Sequence, residues 1–573
     1  MALDGLTLAV CVAEFKNILL GAKVQKILMP GREEVVLLLY TQANGNIRLS
    51  LSADAGNCAV YLTSHSKPNP KTAPAFCMLL RKYLLNARIT EVSQQGLDRV
   101  LTLTFEAKDE MMQKTEIRLI AEIMGKHSNI ILARNGRVLD AIRRVSVDIS
   151  SKRQVLPGSQ YAPPPNEQYN PLSVSEATLE ELIVPSRGMS LPRHLTATFE
   201  GMSGQTAEEI ILLSGLDTDA QEFSRTQARI LAKTLKGFYS GVLANPQPCI
   251  QMNDQNLPVF FSAVPYQIFP EENRMLFTTA NDMLDYYYEK RDFDRRLSRR
   301  KDFLSGLLKK AVTKFNKKIK IYMESLEEAK NADGLIARAQ MITANIYRLQ
   351  KGIPRFEAAD FSTGEPVSIA LDIMLTPAQN AQKLYKKAAK LKTAEKINSR
   401  QLKDALEERD SLESTLTHVQ KAEDLSDLDE LSWQLEKEGI LREQRRKKPA
   451  LPPESKPREF TSPSGYSILV GKNDRQNDIV TMRIADKADI WFHAKNIPGS
   501  HVLLKTNGKP LDEIDDATVL MAASLAAKYS AAGQSVKTPV DYTQRQNVKK
   551  PPGSKPGKVI YDNYFTLYVE PLD

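Results

Sequence analysis

The chain has 573 residues, 42% of them hydrophobic, which is typical of three or four globular domains and excludes a disordered protein. Its formal net charge of +9 favours a polyanionic partner without distinguishing RNA, DNA and acidic membrane. The four cysteines are scattered without a CxxC pair, so neither a disulfide scaffold nor a zinc finger is indicated. No basic signal segment opens the sequence and no apolar run reaches about 18 residues, so we expect a cytoplasmic protein with no membrane partner.

The N-terminal part has the pattern of an α+β domain. Alternating apolar residues in KVQKILMP, EEVVLLLY and RVLTLTFEA indicate strands, with short helices between them. The proline-rich stretch at 156–171 can continue neither a helix nor a strand and is typical of a linker. We therefore expect the first domain at residues 1–172.

A smaller helical domain is predicted at residues 173–240. Gly201 and Gly204 come immediately before a helix, as in a helix-hairpin-helix motif whose backbone amides face phosphate. A plain helix cap explains the same glycines equally well, so the motif leaves phosphate binding open. Residues 241–282 are expected to return and pack on the N-terminal domain.

The spacing of apolar residues predicts a long antiparallel coiled-coil hairpin at residues 283–446. Apolar side chains recur every three or four positions at about 283–351 and 376–443, and a β-like tip at 353–372 joins these arms. Each arm is predicted to extend roughly 100 Å. A spacer or dimerisation rod is the commoner role of such a hairpin, but its length also suits a partner much larger than a single small protein.

A basic, proline-rich linker at 447–459 leads to a predicted C-terminal α+β domain at residues 460–573. There the stretch ADIWFHAKNIPGSHVLLK alternates with period 2, which places Trp491, His493 and Lys495 on one face of a strand. After the Pro-Gly-Ser turn, His501 lies on one side of the next strand. We expect this face to be exposed.

Three explanations compete for these rings and charges. A zinc site needs three or four ligands, whereas only two histidines lie here and no cysteine follows Cys249. The histidines could simply hydrogen-bond at a sheet edge. A lysine beside a tryptophan favours nucleic acid, because rings stack on bases and ammonium groups meet phosphates. We therefore predict RNA contacts by five residues: Trp491, His493, Lys495, Asn496 and His501.

No sequence pattern of an enzyme is found. The chain lacks a Walker loop, a GxSxG motif, a Cys/His nucleophile pair and clustered metal ligands. We therefore expect a protein that is not an enzyme and that has no catalytic residues, no cofactor and no metal site.

Several separate motifs resemble the NFACT family over essentially the whole chain. This family comprises the bacterial RqcH type, the eukaryotic NEMF type and proteins labelled fibronectin-binding protein A. The N-terminal and central motifs are MALDG, FCMLLRKYL, GLDRV, EIMGKHSN and LDIMLTPAQNAQKLYKK. The C-terminal motifs are GYSILVGKNDRQND, WFHAKNIPGSHVLL and VKKPPGSKPGKVIY.

The resemblance implies a ribosome-associated quality-control factor. Such a factor binds large ribosomal subunits obstructed by peptidyl-tRNA and recruits tRNA, expected to be alanyl-tRNA, for C-terminal tailing of the stalled chain without mRNA. Ribosomal RNA would make the peptide bond. The implied partners are therefore the large subunit with its peptidyl-tRNA, tRNA and ribosomal RNA, with a small RNA-binding ribosome-associated protein as a further candidate.

The resemblance also implies a tRNA site. Asp98 and Arg99 match the family's tRNA-recognition motif, and Glu122, Met124 and Lys126 belong to the adjacent motif and are expected to line the same site. Within a strand the first two would point to opposite faces, so they can act together only in the loop before it. On the residues alone, a solvated turn and a packed methionine explain the same positions.

Two other functions stay open at this point. The N-terminal and helix-hairpin-helix parts also resemble the fold of formamidopyrimidine-type DNA glycosylases, which makes DNA repair an alternative. That chemistry uses an N-terminal proline amine and commonly a zinc finger, whereas this chain starts Met-Ala-Leu-Asp and has no zinc pattern. The second alternative is a fibronectin-binding surface adhesin, against which stands the lack of a signal segment.

Overall fold

The computed structural model of the protein describes residues 3–108, 113–150, 152–184, 189–218, 224–361, 363–441, 455–532 and 537–572. They form two compact units, Met1–Asp294 and Arg295–Asp573. The architecture is the mixed α+β, multidomain class that the sequence predicts, with antiparallel sheets and long helices. In the described part of the chain, no helix is both long and apolar enough to cross a membrane.

The first unit is built on a nine-stranded antiparallel sheet. Its strands are β1 (Lys23–Gly31), β2 (Glu34–Thr41), β3 (Gly45–Ser52), β4 (Ala59–Leu62), β5 (Arg88–Gln94), β6 (Val100–Lys108), β7 (Lys114–Glu122), β8 (Asn129–Arg134) and β9 (Arg137–Ala141), in the order β4-β3-β2-β1-β5-β6-β7-β8-β9. Helices α1 (Gly5–Leu19) and α2 (Ala75–Leu84) pack on β5 and β1 respectively. Because β6 and β7 pair along their whole length, the start of β6 lies beside the end of β7.

Four helices follow the sheet, and the two glycines predicted before a helix have separate structural roles there. The helices are α3 (Glu176–Leu182), α4 (Leu191–Thr198), α5 (Gly204–Leu213) and α6 (Arg225–Ala244). Gly204 opens α5 directly after its N-cap Ser203, as the plain-cap interpretation requires. Gly201 has φ +74°, and a Cβ there would lie 3.1 Å from the backbone nitrogen of Leu6. Gly201 therefore permits close approach of the helical segment to α1.

A three-stranded sheet completes the first unit. It consists of β10 (Cys249–Met252), β11 (Pro258–Ser262) and β12 (Arg274–Leu276). Ile250 and Phe261 are buried in the same hydrophobic core as Phe15 and Leu37 of the N-terminal segment. The chain thus returns to the core with which it began.

Two long helices run antiparallel, as the coiled-coil pattern predicts, and the first of them begins in the first unit and continues into the second. The elements of this hairpin are α7 (Ala280–Ala329), α8 (Ala332–Ala344), β13 (Arg355–Ala359), β14 (Pro366–Ala370), α9 (Pro377–Lys421) and α10 (Leu425–Lys437). Leu304 of α7 packs with Leu412 and Val419 of α9, and Asn398 donates a hydrogen bond to Ser325 at 2.7 Å. The first arm is divided between α7 and α8, so α7 with its 50 residues is about 75 Å long rather than the predicted 100 Å.

The C-terminal part forms a six-stranded sheet with one helix packed on it. Its elements are β15 (Arg458–Thr461), β16 (Ser467–Val470), α11 (Asp474–Ile479), β17 (Ile490–Ala494), β18 (Val502–Leu504), α12 (Asp516–Lys528), β19 (Thr538–Gln544), β20 (Val548–Lys549), β21 (Ile560–Tyr561) and β22 (Phe565–Val569). The sheet order is β15-β16-β18-β17-β19-β22, and β20 pairs with β21 separately. Of the predicted linker at 447–459, residues 447–454 lie outside the part of the chain that the structure describes.

Candidate nucleic-acid interfaces

Asp98 and Arg99 lie in the tight loop between β5 and β6, before the strand begins, as the sequence predicts. Gly96 has φ +57° in this loop, and a Cβ there would lie 2.6 Å from the Glu200 carboxylate. That carboxylate instead accepts a hydrogen bond from the backbone nitrogen of Leu97 at 3.0 Å. The loop is therefore fixed from both sides, and its side chains are positioned before any ligand binds.

The Arg99 guanidinium is the charged group of this loop that is available to a ligand. Arg99 is half-buried, and its guanidinium makes no hydrogen bond or ion pair with any residue that the structure describes. The Asp98 carboxylate accepts a hydrogen bond from the Arg99 backbone nitrogen at 2.6 Å, which fixes the backbone at the arginine. Burial raises the pKa of Asp4 at the N-cap of α1, and the charge of Arg99 opposes that rise. An arginine fork without an internal acceptor suits phosphate or a base edge.

The second predicted motif lies directly beside this loop. Ile123 donates a backbone hydrogen bond to the Arg99 carbonyl at 2.8 Å, and Val100 pairs with Glu122 across the β6–β7 ladder. Lys126 follows in a turn that is opened by Gly125 with φ +58°, and its side chain is exposed. The fold thus brings both motifs to one end of the sheet and leaves Arg99 and Lys126 as its accessible cations.

Glu122 and Met124 do not present their side chains as the resemblance led us to expect. The Glu122 side chain is only 2% exposed and accepts hydrogen bonds from Arg153 at 2.5 Å and from the Tyr161 hydroxyl at 3.1 Å. Met124 packs on the hydrophobic cluster that contains Val100. The buried Glu122 carboxylate forms an ion pair under the loop. It can therefore position the loop, but it cannot contact a bound RNA directly.

We expect Glu122→Ala to destabilise the first unit by about 3–5 kcal/mol, because it leaves the mostly buried Arg153 cation without its partner. Chemical denaturation of the variant measures this loss. Lys126→Ala is the matched control, since that side chain is exposed and its removal should leave the unfolding free energy nearly unchanged. Equal stability of the two variants would contradict the structural role of Glu122.

In the C-terminal domain, the predicted alternation of β17 is confirmed but the predicted exposure is wrong. Ile490 and Phe492 pack in the core under α12, whereas Trp491 points to the opposite face. That face is covered, and Trp491 is 0% exposed, with its ring centroid 4.9 Å from that of Tyr561 and 5.7 Å from that of His493. A period of two separates the faces of a strand, but it does not reveal what distant segments cover them.

Of the two histidines of this stretch, His501 is buried and His493 is half-buried. His501 is 2% exposed, and its Nδ1 lies 2.8 Å from the Thr481 hydroxyl, which agrees with the hydrogen-bonding interpretation. Burial lowers the pKa of His493 to about 4 and lowers the pKa of His501 well below its ordinary value. Both rings are therefore neutral near neutral pH and cannot pair with phosphate. No cluster of three potential metal ligands occurs among the described residues.

A cleft of about 590 Å³ lies between α9 and the buried face of this sheet. Trp491, His493 and Tyr561 line it, and its rim carries both signs of charge. Lys555 pairs with Glu408 at 2.7 Å and Lys558 pairs with Glu407 at 3.2 Å, so α9 neutralises the basic rim. This charge balance gives a polyanion no reason to enter the cleft.

Lys495 and Asn496 are the predicted residues of this stretch that remain accessible. Lys495 donates to Asp541 at 3.2 Å and to Thr566 at 3.1 Å, and its ammonium lies 4.9 Å from the ring centroid of Tyr564. Asn496 is exposed in a left-handed turn with φ +57°. The sequence interpretation missed Tyr564, although the motif NYF directly after a basic hairpin was available as a signal.

Trp491→Ala should cost about 3–5 kcal/mol of folding free energy, because it removes a fully buried indole and leaves a cavity. Thermal or chemical unfolding of the full-length protein measures the effect. Lys495→Ala serves as the comparison and should cost much less, since that side chain is partly exposed. A tryptophan variant with wild-type stability would restore the exposed-face interpretation.

Comparison with known proteins decides the family. The family model "NFACT N-terminal and middle domains" matches residues 4–451, and the model "NFACT protein RNA binding domain" matches residues 456–563. The chain belongs to the NFACT family. The resemblance predicted from the motifs is therefore confirmed.

The relatives of this NFACT protein extend over its full length. The "Rqc2 homolog RqcH" of Streptococcus suis is 34% identical, covering 100% of this chain and 99% of the relative. RqcH of Bacillus subtilis is 32% identical, covering 100% of this chain and 98% of the relative. Among solved structures, the N-terminal part of the fibronectin/fibrinogen-binding protein from Streptococcus suis covers 50% of this chain and 98% of its own, at 33% identity and a TM-score of 0.41.

Proposed function

We propose that this NFACT protein is a ribosome-associated quality-control factor. It binds large ribosomal subunits obstructed by peptidyl-tRNA and recruits tRNA, so that the stalled chain receives a C-terminal alanine tail without mRNA. Similarity to RqcH over the full length supports the class. A yeast relative, "Ribosome quality control complex subunit 2", is 30% identical over 152 residues and supports the same role.

The observation that carries the tRNA part of this proposal is the Arg99 guanidinium on a preformed loop. It has no hydrogen-bond acceptor among the described residues, and Asp98 fixes the backbone on which it stands. A duplex or loop of tRNA offers phosphates and base edges that an arginine fork contacts in a bidentate manner. Lys126 adds an exposed cation beside it. Glu122, with Arg153 and Tyr161, supports the loop from below.

In this proposal the protein recruits and positions RNA and is not an enzyme. Peptide-bond formation belongs to the ribosomal RNA of the large subunit, so the protein needs neither a nucleophile nor a cofactor. Alanine is the proposed residue of the tail, and a small RNA-binding ribosome-associated protein is the proposed further partner. Both proposals rest on the resemblance of the motifs that contain Asp98 and Trp491 to those of the NFACT family.

The coiled-coil hairpin and the C-terminal domain are the proposed anchor on the large subunit. The C-terminal domain rests on α9, where the buried His418 lies 3.0 Å from Asp474 and Ser414 donates to the same carboxylate at 2.6 Å. The two parts therefore act together as one contact surface. In finer detail we propose a glycosylase-like fold for the first unit, with α3–α6 as its helix-hairpin-helix part. The sheet and the four helices that follow it support this assignment.

A stalled reporter protein tests the proposal. Cells that lack this protein should accumulate the reporter without a tail, and the wild-type gene should restore C-terminal alanine residues that mass spectrometry detects. Cell fractionation separates the alternatives, because a quality-control factor sediments with large subunits, a repair protein with genomic DNA and an adhesin with the cell surface. Untailed reporter in complemented cells would overturn the tailing role.

A further inference from the structure

Two exposed tyrosines mark the edge of the C-terminal sheet. Tyr564, just before β22, is 45% exposed, and Tyr568, on β22, is 70% exposed. This strand is the last in the six-stranded order and pairs only with β19 among the described strands. Single exposed rings are common on protein surfaces, but neighbouring exposed rings that form one patch mark an interaction site more often.

The tyrosines belong to the same face of the sheet as Lys495. In the β19–β22 ladder, Asp541 is paired with Thr566 and Pro539 with Tyr568, and directly paired residues point to the same side. Asp541 binds Lys495 on the side opposite α12, and the Lys495 ammonium lies 4.9 Å from the Tyr564 ring centroid. Lys495 thus holds the Tyr564 ring in place, and Tyr568 continues the face outward.

An excess of basic residues leads to this face, although most of them are already paired. Residues 537–562 contain six lysines and arginines and two aspartates. Lys555 and Lys558 pair with α9, and Lys550 pairs with Asp478. On β20, Lys549 is 65% exposed and pairs with the exposed Asp562 at 3.6 Å, a surface pair that a phosphate can replace. The Tyr561 ring centroid on β21 lies 5.3 Å from that of Tyr564. Rings beside an exposed lysine fit an anionic chain that carries flat groups, which favours RNA over a protein strand added to the edge.

We propose that Tyr564 and Tyr568 form a stacking platform for unpaired RNA nucleotides, whose phosphates lie beside Lys549 of the β20–β21 hairpin. The platform occupies the role that the sequence assigned to Trp491, and it lies on the accessible part of the same face. It rests on the proposed function in one respect, since an RNA partner is assumed for the C-terminal domain. Stacking tolerates any base, so the platform binds single strands without sequence preference.

Binding of a fluorescein-labelled single-stranded RNA of mixed sequence to the full-length protein tests the platform by fluorescence anisotropy. Tyr564→Ala with Tyr568→Ala should weaken binding at least about tenfold, because each lost stack is worth on the order of 1–3 kcal/mol. Tyr564→Phe with Tyr568→Phe keeps both rings and should bind within about twofold of the wild type. Tyr40→Ala, at a 44% exposed tyrosine of β2 in the first unit, is the matched control and should bind like the wild type.

Several outcomes would overturn the platform. Unchanged binding by the alanine variant would leave the edge strand to a protein partner, and equal loss in the phenylalanine variant would assign the effect to the hydroxyl groups. A melting temperature below the wild-type value in the alanine variant alone would assign the loss to folding. Both tyrosine variants should still copurify with tRNA, because the Arg99 site is unchanged. If the wild-type protein itself does not copurify with tRNA, the proposed function fails, and this result is distinct from failure of the platform.

Discussion

Replacement of both Asp98 and Arg99 by alanine is expected to abolish copurification of tRNA and alanine tailing while large-subunit binding remains. The guanidinium has no acceptor among the described residues, and its charge is the smallest of several influences on Asp4, so its removal should leave the melting temperature nearly unchanged. A bidentate arginine contact is worth about 1–3 kcal/mol, which corresponds to about 5- to 150-fold in affinity. Loss of the Asp98 contact to the Arg99 backbone adds disorder of the loop.

Single substitutions separate the role of the arginine's charge from that of its planar fork. Arg99→Lys keeps the charge but loses the planar fork, so we expect weakened rather than abolished tRNA binding. Arg118→Ala is the matched control, because Arg118 is an exposed arginine on the adjacent strand β7 whose partner is Glu116. Retained tRNA in the double variant would refute the assignment. Joint loss of tRNA and large subunit would indicate misfolding or a shared site.

Shortening the coiled-coil hairpin is expected to have the opposite effect, with tRNA retained and the large subunit lost. The arms can be cut where Ser325 and Asn398 face each other, by deletion of residues 326–397 and insertion of a short glycine-rich turn. This design keeps the packed base at Leu304 and Leu412. It also keeps the residues of α9 that hold the C-terminal domain, such as His418 at Asp474.

Sedimentation with large subunits at increasing salt concentrations measures the effect. Binding of the intact protein should fall steeply with salt, because contacts between basic side chains and phosphates release counterions. The shortened protein should fail to sediment even at low salt and should melt like the intact protein at its C-terminal domain. If it still cosediments at moderate salt, the hairpin is not an anchor.

Much of the local structure could be predicted from short-range patterns. The period of two identified β17, the three-and-four spacing identified the pairing of α7 with α9, and Gly96 marked the loop that presents Arg99. Each of these depends on neighbours in sequence or on a regular repeat. The family motifs then indicated which loop to examine.

The remaining features depend on contacts between distant residues. Glu122 finds Arg153 and Tyr161 31 and 39 residues away, and nothing in EIMGKHSN reveals that its first residue is buried. Trp491 is covered by side chains of the segment around Tyr561, so a ring that was predicted to be exposed is buried. The exposed tyrosines of this face are instead Tyr564 and Tyr568, which lie just before and on the edge strand β22, beyond which the sheet order has no further strand.

Sequencing of the RNA that copurifies with the tagged full-length protein tests the central claim most directly. We expect large-subunit ribosomal RNA without an equal amount of small-subunit RNA, together with tRNA enriched in alanine acceptors. The Asp98→Ala, Arg99→Ala double variant should retain the ribosomal RNA and lose the tRNA. Equal recovery of both ribosomal subunits with no enrichment of tRNA, or recovery of genomic DNA alone, would contradict the account.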